Sequence, residues 1–226
     1  MKTQQNLALF DLDNTLLAGD SDYNWSLFLI GEGLLDAKTH HDRNEQFYAD
    51  YKNGCLNIVE FLKFQLKPLS EHKKAFLDEL HKKYMQKIIH PMMTVKSQNL
   101  VDKHKAAGDL CVVITATNSF VTKPIATAYG IEHLIGSDPE MVNGEYTGGV
   151  IGVPSFQEGK VTRINQWLAE CGKKLEDFEM SYFYSDSHND LPLMKLVTNP
   201  VAVDADETLK KMAEEKGWLQ MSLRDC

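Results

Sequence analysis

The sequence predicts an α/β protein: a doubly wound parallel sheet with a helical domain inserted after its first strand. Three observations carry this. Four short apolar runs, residues 7–10, 110–114, 182–184 and 201–203, lead into an acid or a hydroxyl at Asp11, Thr115, Asp186 and Asp204. Continuous apolar runs of this kind are strands buried on both faces. Helical patterns separate the last three of them, and alternation of strand and helix winds a parallel sheet. One long stretch, from about Ser21 to His90, carries helical signals only. Such sheets bind ligands beyond the carboxyl ends of their strands, where these polar residues fall.

The elements follow in order. The first strand, in NLALFDLDNTLLAGDSD (residues 6–22), runs straight into Asp11, with Asp13 two positions on. In the insertion, Trp25, Phe28 and Leu29 sit at helical spacing before Gly31 and Gly33. A second helix passes through Phe47, Tyr48 and Tyr51 to Gly54, a third runs from Ile58 to Leu66 before Pro68, and a fourth runs from Ser70 to His90, closed by Pro91. Further helices are expected over 95–107, 121–129, 161–170, 191–197 and 206–216, and a weaker strand over 133–135. Asn143–Gly144 marks a hairpin between Asp138 and Pro154. Repeats, low-complexity tracts and Pro/Gly/Ser linkers are absent.

Composition narrows the function. The chain has 226 residues, of which 43% are apolar, so one large domain or a core with an insertion can be built. A formal net charge of −8 and a pI near 5.5 argue against a nucleic-acid binder. Arginine occurs only at Arg43, Arg163 and Arg224, so no clamp of several arginines is available. Cys55, Cys111, Cys171 and Cys226 form no CxxC motif and read as free thiols of a reducing compartment. MKTQQ leads directly into a strand without a signal-peptide core, and no apolar run reaches the ~18 residues of a membrane span. The expectation is a soluble, cytoplasmic protein acting on a small molecule, with a monomer favoured.

Strand residues two apart point the same way, so Asp11 and Asp13 both approach one ligand if the strand continues; a loop would redirect Asp13. Two close carboxylates repel, and one tends to stay protonated. A bound cation relieves this, as does a role that wants one acid neutral. Both conditions fit phosphoryl transfer to Asp11 as nucleophile, with Asp13 as acid and then base and a hard cation, Mg²⁺, offsetting charge. A solvated turn or helix cap is the plain alternative for the pair. Asp186 would complete the metal site with Asp11. Asn189 and Asp190 follow, and Asp190 either supports that site or caps the helix at Leu191–Pro192. Thr115 either holds a phosphate oxygen or is an ordinary strand-end threonine. Lys160 opens a helix, where the dipole disfavours a cation; an anionic partner would explain it, and solvent exposure is the alternative. Asp11, Asp186, Asp190 and a phosphate dianion stand against one divalent cation and Lys160, a balance that asks for a neutral Asp13.

Taken together, Asp11-Leu-Asp-Asn-Thr15, the strand ending in Thr115, Lys160 and Asp186-Ser-His-Asn-Asp190 resemble the four motifs of the haloacid dehalogenase-like (HAD) hydrolases. The insertion is similar to the helical cap of the phosphoserine-phosphatase-like subgroup. The resemblance implies a Rossmann-like core over 1–17 and 91–226 and a cap over 18–90. It implies Asp11 as nucleophile and Asp13 as acid/base. Mg²⁺ would be held by Asp11, Asp186 and the Asp13 carbonyl, the phosphoryl group by Thr115 and Lys160, with Asp190 and Asn189 in support. An acid at Asp13 implies a phosphatase and not a dehalogenase. The fourth motif departs from the usual Gly-Asp-Gly, reading Ser185-Asp186-Ser187, and keeps its acids.

For the substrate, Asp20 stands nine residues after the nucleophile, where phosphoserine phosphatases carry a Glu. Lys63 falls where they carry an Arg and lacks its fork. With Asp22, these cap residues favour an ester bearing an amine or imidazole, such as histidinol phosphate, over phosphoserine; Asp20 and Asp22 also read as caps of the helix at Trp25. Phosphatidylglycerol phosphate is a further alternative, if Trp25, Phe28 and Phe47 are exposed and not core. From other classes, a phospho-accepting signalling protein would be about half this length without the insertion, and a phosphate-ester binder without turnover would not need the Asp11/Asp13 pair.

Overall fold

The computed structural model describes residues 5–224. β1 (Leu7–Phe10) is followed by helices α1 (Ser21–Gly31), α2 (Ala37–Lys52), α3 (Ile58–Ser70), α4 (Lys74–Tyr84) and the short α5 (His90–Met92). Then come α6 (Val95–Ala106), β2 (Leu110–Asn118), α7 (Ser119–Ala128), β3 (His133–Val142), β4 (Glu145–Ile151) and α8 (Glu158–Glu170). β5 (Ser181–Ser185), α9 (Leu191–Met194), β6 (Asn199–Val203), α10 (Glu207–Lys216) and β7 (Leu219–Met221) complete the order.

The strands form one sheet in the order β4-β3-β2-β1-β5-β6-β7. Every neighbour is parallel except the β3–β4 hairpin. β1 lies at the centre with Phe10 opposite Val113 on one side and Tyr184 on the other. The chain leaves β1 to one side through β2 and β3 and returns to the other through β5. The crevice of such a sheet opens at that switch, so the residues just beyond β1, β2 and β5 emerge together.

Alternation along the strands divides the core in two. Leu7, Leu9, Val112, Ile114 and Phe183 pack with Ile164 and Leu168 of α8 and Leu209 of α10. Ala8, Phe10, Cys111 and Val113 face the other way and join Trp25, Leu62, Leu66 and Tyr84 of the insertion. Each large side chain so buried contributes roughly 1.5–3 kcal/mol. Trp25 stacks on Phe28 at 5.6 Å and meets Tyr84 edge-on at 5.1 Å. Trp25, Phe28 and Phe47 are buried, so they form no exposed apolar face.

Some elements differ from expectation. Pro68 lies in the last turn of α3 and does not end it. Pro91 falls inside the helical run, because a widened turn over Met85–Ile89, with the His90 amide donating to the Met85 carbonyl, accommodates its missing N–H. The helix expected over 191–197 stops at Met194. β2 and β3 run further than their apolar stretches, and β7 was not foreseen: it is short and half exposed, with no burial pattern to reveal it. The hairpin turns at Asn143 (φ 53°) and Gly144 (φ 82°), the left-handed pair that a two-residue turn requires. Among the described residues no helix is long and apolar enough to cross a membrane. Cys55, Cys111 and Cys171 are free thiols; Cys226 and residues 1–4 lie outside the described residues.

Candidate active site

The loop after β1 builds the centre. Asp11 and Asp13 keep extended backbones, and Asn14 turns left-handed at φ 56°. Arg224 fastens this loop by donating to the carbonyls of Asn14 and Thr15. The strand ends at Phe10, so continued strand alternation does not aim Asp13. Its carboxylate accepts from the Ser21 amide at 2.5 Å and the Thr117 hydroxyl at 2.8 Å, with the Thr115 hydroxyl at 3.5 Å. Asp11 points elsewhere in the same cavity: Oδ1 accepts from Lys160 at 2.7 Å, and Oδ2 lies 3.3 Å from the Thr15 hydroxyl.

Lys160, in the first turn of α8, is only 3% exposed. Its ammonium also donates to Asp190 at 2.8 Å. Asp190 further accepts from Ser185 at 2.6 Å and gives α9 no side-chain cap, so the capping role is not taken. Asp186, beyond β5, sits 3.0 Å from the Thr15 hydroxyl. Thr15 thus stands between Asp11 and Asp186, residues far apart in sequence. Asn189 accepts from Gln157 at 2.8 Å and donates to the Tyr51 carbonyl at 3.1 Å, tying the strand-end loops to α2.

Crowding sets the electrostatics. Burial pushes the Asp11 carboxyl up to about 7 against the pull of Lys160, with Asp190 and Asp13 adding to the rise. Burial, reinforced by Asp20, brings Asp13 to about 6. Asp186 is raised well above the carboxylate range by burial and by Asp11. Burial alone would lower Lys160, but Asp11 and Asp190 outweigh it and raise it. Tyr51 lines the cavity and is held protonated by burial and by the fields of Asp186, Asp190 and Asp11.

Buried acids that raise one another, separated by a neutral hydroxyl, suit a bound cation. The donors are hard oxygens, the kind that Mg²⁺ and Ca²⁺ prefer. Among the described residues no three acidic, His or Cys side chains form a metal cluster. Asp11 and Asp186 would need a main-chain or substrate oxygen as third donor.

The insertion roofs the cavity, whose volume is about 80 Å³. Asp20 and Asp22 both line it. Asp20 caps α1 through Oδ1, which accepts from the amides of Asp22 and Tyr23 at 2.9 and 2.8 Å. Asp22 is buried; one oxygen accepts from Asn118 at 3.3 Å and the other, Oδ2, has no partner. Lys63 is a correction to the sequence reading. It is exposed on α3 and does not line the cavity, whereas Gln65, two residues on, does. Thr117, Tyr51, Ser185, Gln157 and Arg224 were missed. Only Thr117 carried a signal, lying two strand positions beyond Thr115.

Gly159 shows how tightly Lys160 is placed. A Cβ there would come 2.0 Å from the Pro154 carbonyl oxygen. Gly159→Ala is expected to cost about 3 kcal/mol, at the upper end of overpacking effects, and to displace the lysine. Urea unfolding checks this, and an unshifted midpoint would contradict the close approach.

Comparison with known proteins places this geometry. The profile of the haloacid dehalogenase-like hydrolases matches residues 8–195. A protein of Neisseria meningitidis serogroup C called histidinol-phosphatase is 50% identical over 215 residues, covering 95% of this chain and 97% of that one. A crystal structure of a Bordetella pertussis protein of unknown function superposes with a TM-score of 0.93 at 47% identity, covering 98% of this chain and all of the other. Substrate-bound phosphoserine phosphatase shares the fold, with a TM-score of 0.66 at 17% identity over 98% of this chain and 94% of that one.

Proposed function

The chain belongs to the haloacid dehalogenase-like hydrolase family and is a phosphatase, and we propose that it hydrolyses a small amine- and imidazole-bearing phosphate monoester, histidinol phosphate, through a phosphoaspartate on Asp11. The observation that supports the amine is Asp22. Its Oδ2 is the unpartnered carboxylate oxygen of a buried acid in a cavity lined by no arginine among the described residues. The 50% identical relative supports the same substrate by its name.

In this reading Asp11 attacks phosphorus in line while Asp13 protonates the departing alcohol. Asp13 then takes a proton from the water that hydrolyses the acyl phosphate, and phosphate leaves. A pKa near 6 suits both duties close to neutral pH. Bonds from Ser21 and Thr117 fix its carboxyl toward the cavity. Lys160 steadies Asp11 as an anion and, with Thr115, offers donors to the phosphoryl oxygens. Asp190 holds the lysine in place. Bound Mg²⁺, held by the Asp11 and Asp186 carboxylates and the Asp13 carbonyl, would offset charge on the attacking carboxylate and the phosphoryl group. Residues 18–90 act as the cap, excluding water from the acyl phosphate.

The test is phosphate release from a panel of esters. With Mg²⁺ present, kcat/KM for histidinol phosphate is expected to exceed that for phosphoserine by about 100-fold or more, and EDTA is expected to stop release from both. Equal rates on the two esters, or a preference for phosphoserine, would refute the substrate assignment.

A further inference from the structure

Three helices of the insertion share a buried chain of hydrogen bonds. Ser26 of α1 donates to Gln65 Oε1 of α3 at 2.9 Å, and Gln65 Nε2 donates to Asn44 Oδ1 of α2 at 3.4 Å. The three are 2%, 5% and 4% exposed. There the chain stops: Asn44 Nδ2 is buried and donates to nothing. Gln65 and Asn44 both line the cavity that holds Asp11 and Lys160, and Phe47, Tyr48 and Phe61 line it too. A buried amide left without a partner is costly, and native interiors rarely keep one. Apolar residues would pack three helices at lower cost, so an amide kept here points to a ligand.

We propose that Asn44, held in place by Gln65 and Ser26, reads the head group of the substrate by donating through Nδ2 to the unprotonated nitrogen of a neutral imidazole ring. This rests on the substrate reading given above and assigns it a specificity residue. The chemistry of the pocket selects among head groups. An ammonium has no lone pair for this donor. A carboxylate calls for a cation, but Asn44 and Gln65 are neutral, Lys63 is exposed, and Lys160 is committed to Asp11 and Asp190. A phenyl ring fits apolar walls and leaves the amide unpaired. A neutral imidazole supplies both a flat apolar body and one acceptor nitrogen.

The experiment compares kcat/KM for histidinol phosphate and for its phenyl counterpart, 2-amino-3-phenylpropyl phosphate. The wild-type protein is expected to favour the imidazole by about 10- to 100-fold, the range for one buried hydrogen bond left unmade. Asn44→Leu and Gln65→Met are each expected to reduce that preference to within about threefold. A wild-type ratio near one overturns the proposal without any variant. So do variants that slow both esters equally, the signature of a purely structural amide. A wild-type protein that hydrolyses an aryl phosphate but neither amine ester overturns the substrate reading along with it.

Discussion

Asp11→Asn is expected to abolish phosphate release, by at least about 10⁴-fold in kcat, and to leave no phosphorylated protein on acid quench. Loss of a covalent nucleophile is among the largest single-residue effects known for enzymes. An amide oxygen carries no charge with which to attack phosphorus. Asn at this position still accepts from Lys160 through Oδ1, and its Nδ2 can donate to the Thr15 hydroxyl in place of the bond it loses, so the fold should survive. A second outcome follows from the crowding of acids. Asp11 raises Asp186, and Asp190 and Asp13 raise Asp11. Removing one of these charges relieves repulsion that water cannot screen at this depth. Without added metal, the variant is therefore expected to be more stable than wild type, by about 1 kcal/mol. Phosphate release and quenched-flow mass spectrometry measure the first outcome, and urea unfolding in EDTA the second. Turnover within tenfold of wild type would remove Asp11 from the nucleophile's role. A variant less stable than wild type would mean that the charge on Asp11 is structural.

Much of the centre could be read from sequence because parallel strands advertise themselves. β1 is apolar at every position since both of its faces are covered, so the acid that ends it stands out. Asp186 and Thr115 stand out for the same reason. Asp13 lines the same cavity as Asp11, as expected, but strand alternation does not carry to it: the strand ends at Phe10, Asp13 faces Thr117, and Arg224 fastens the left-handed turn at Asn14 that follows. Long-range contacts such as Arg224 leave no local trace. The insertion is the opposite case, where a signal was present and misread. Leu62, Gln65, Leu66 and Leu69 share the buried face of α3, and Lys63 lies about a quarter-turn from it. The phase marks Gln65, polar on an apolar stripe, and not Lys63, as the position that faces inward. Asp20 and Asp22 looked interchangeable as helix caps. The fold separates them, because Asp20 takes the cap while Asp22 is buried with one oxygen unpaired.

Lys160→Met carries the second large effect, and its double variant separates structure from catalysis. The ammonium is the cation between Asp11 and Asp190, and all three groups are buried. Deleting it leaves carboxylates in a low-dielectric pocket with hydroxyls alone to answer them. Breaking a buried ion pair from one side costs about 3–5 kcal/mol, most of it the penalty on the charge left behind. In the proposed mechanism the same loss strips the site of a donor to the transferring group, worth about 10²–10³ in kcat. Adding Asp190→Asn to Lys160→Met removes one orphaned charge, so the double variant should regain about 1–3 kcal/mol of the lost stability. It should regain no activity, because Asn cannot supply the missing positive charge to the phosphoryl oxygens. Urea unfolding and phosphate release on the four proteins of the cycle give both readouts. If the double variant turns over like wild type, Lys160 serves only to neutralise Asp190. If Lys160→Met is as stable as wild type, its neighbours are already neutral in the folded protein, and the charge balance drawn for this pocket is wrong.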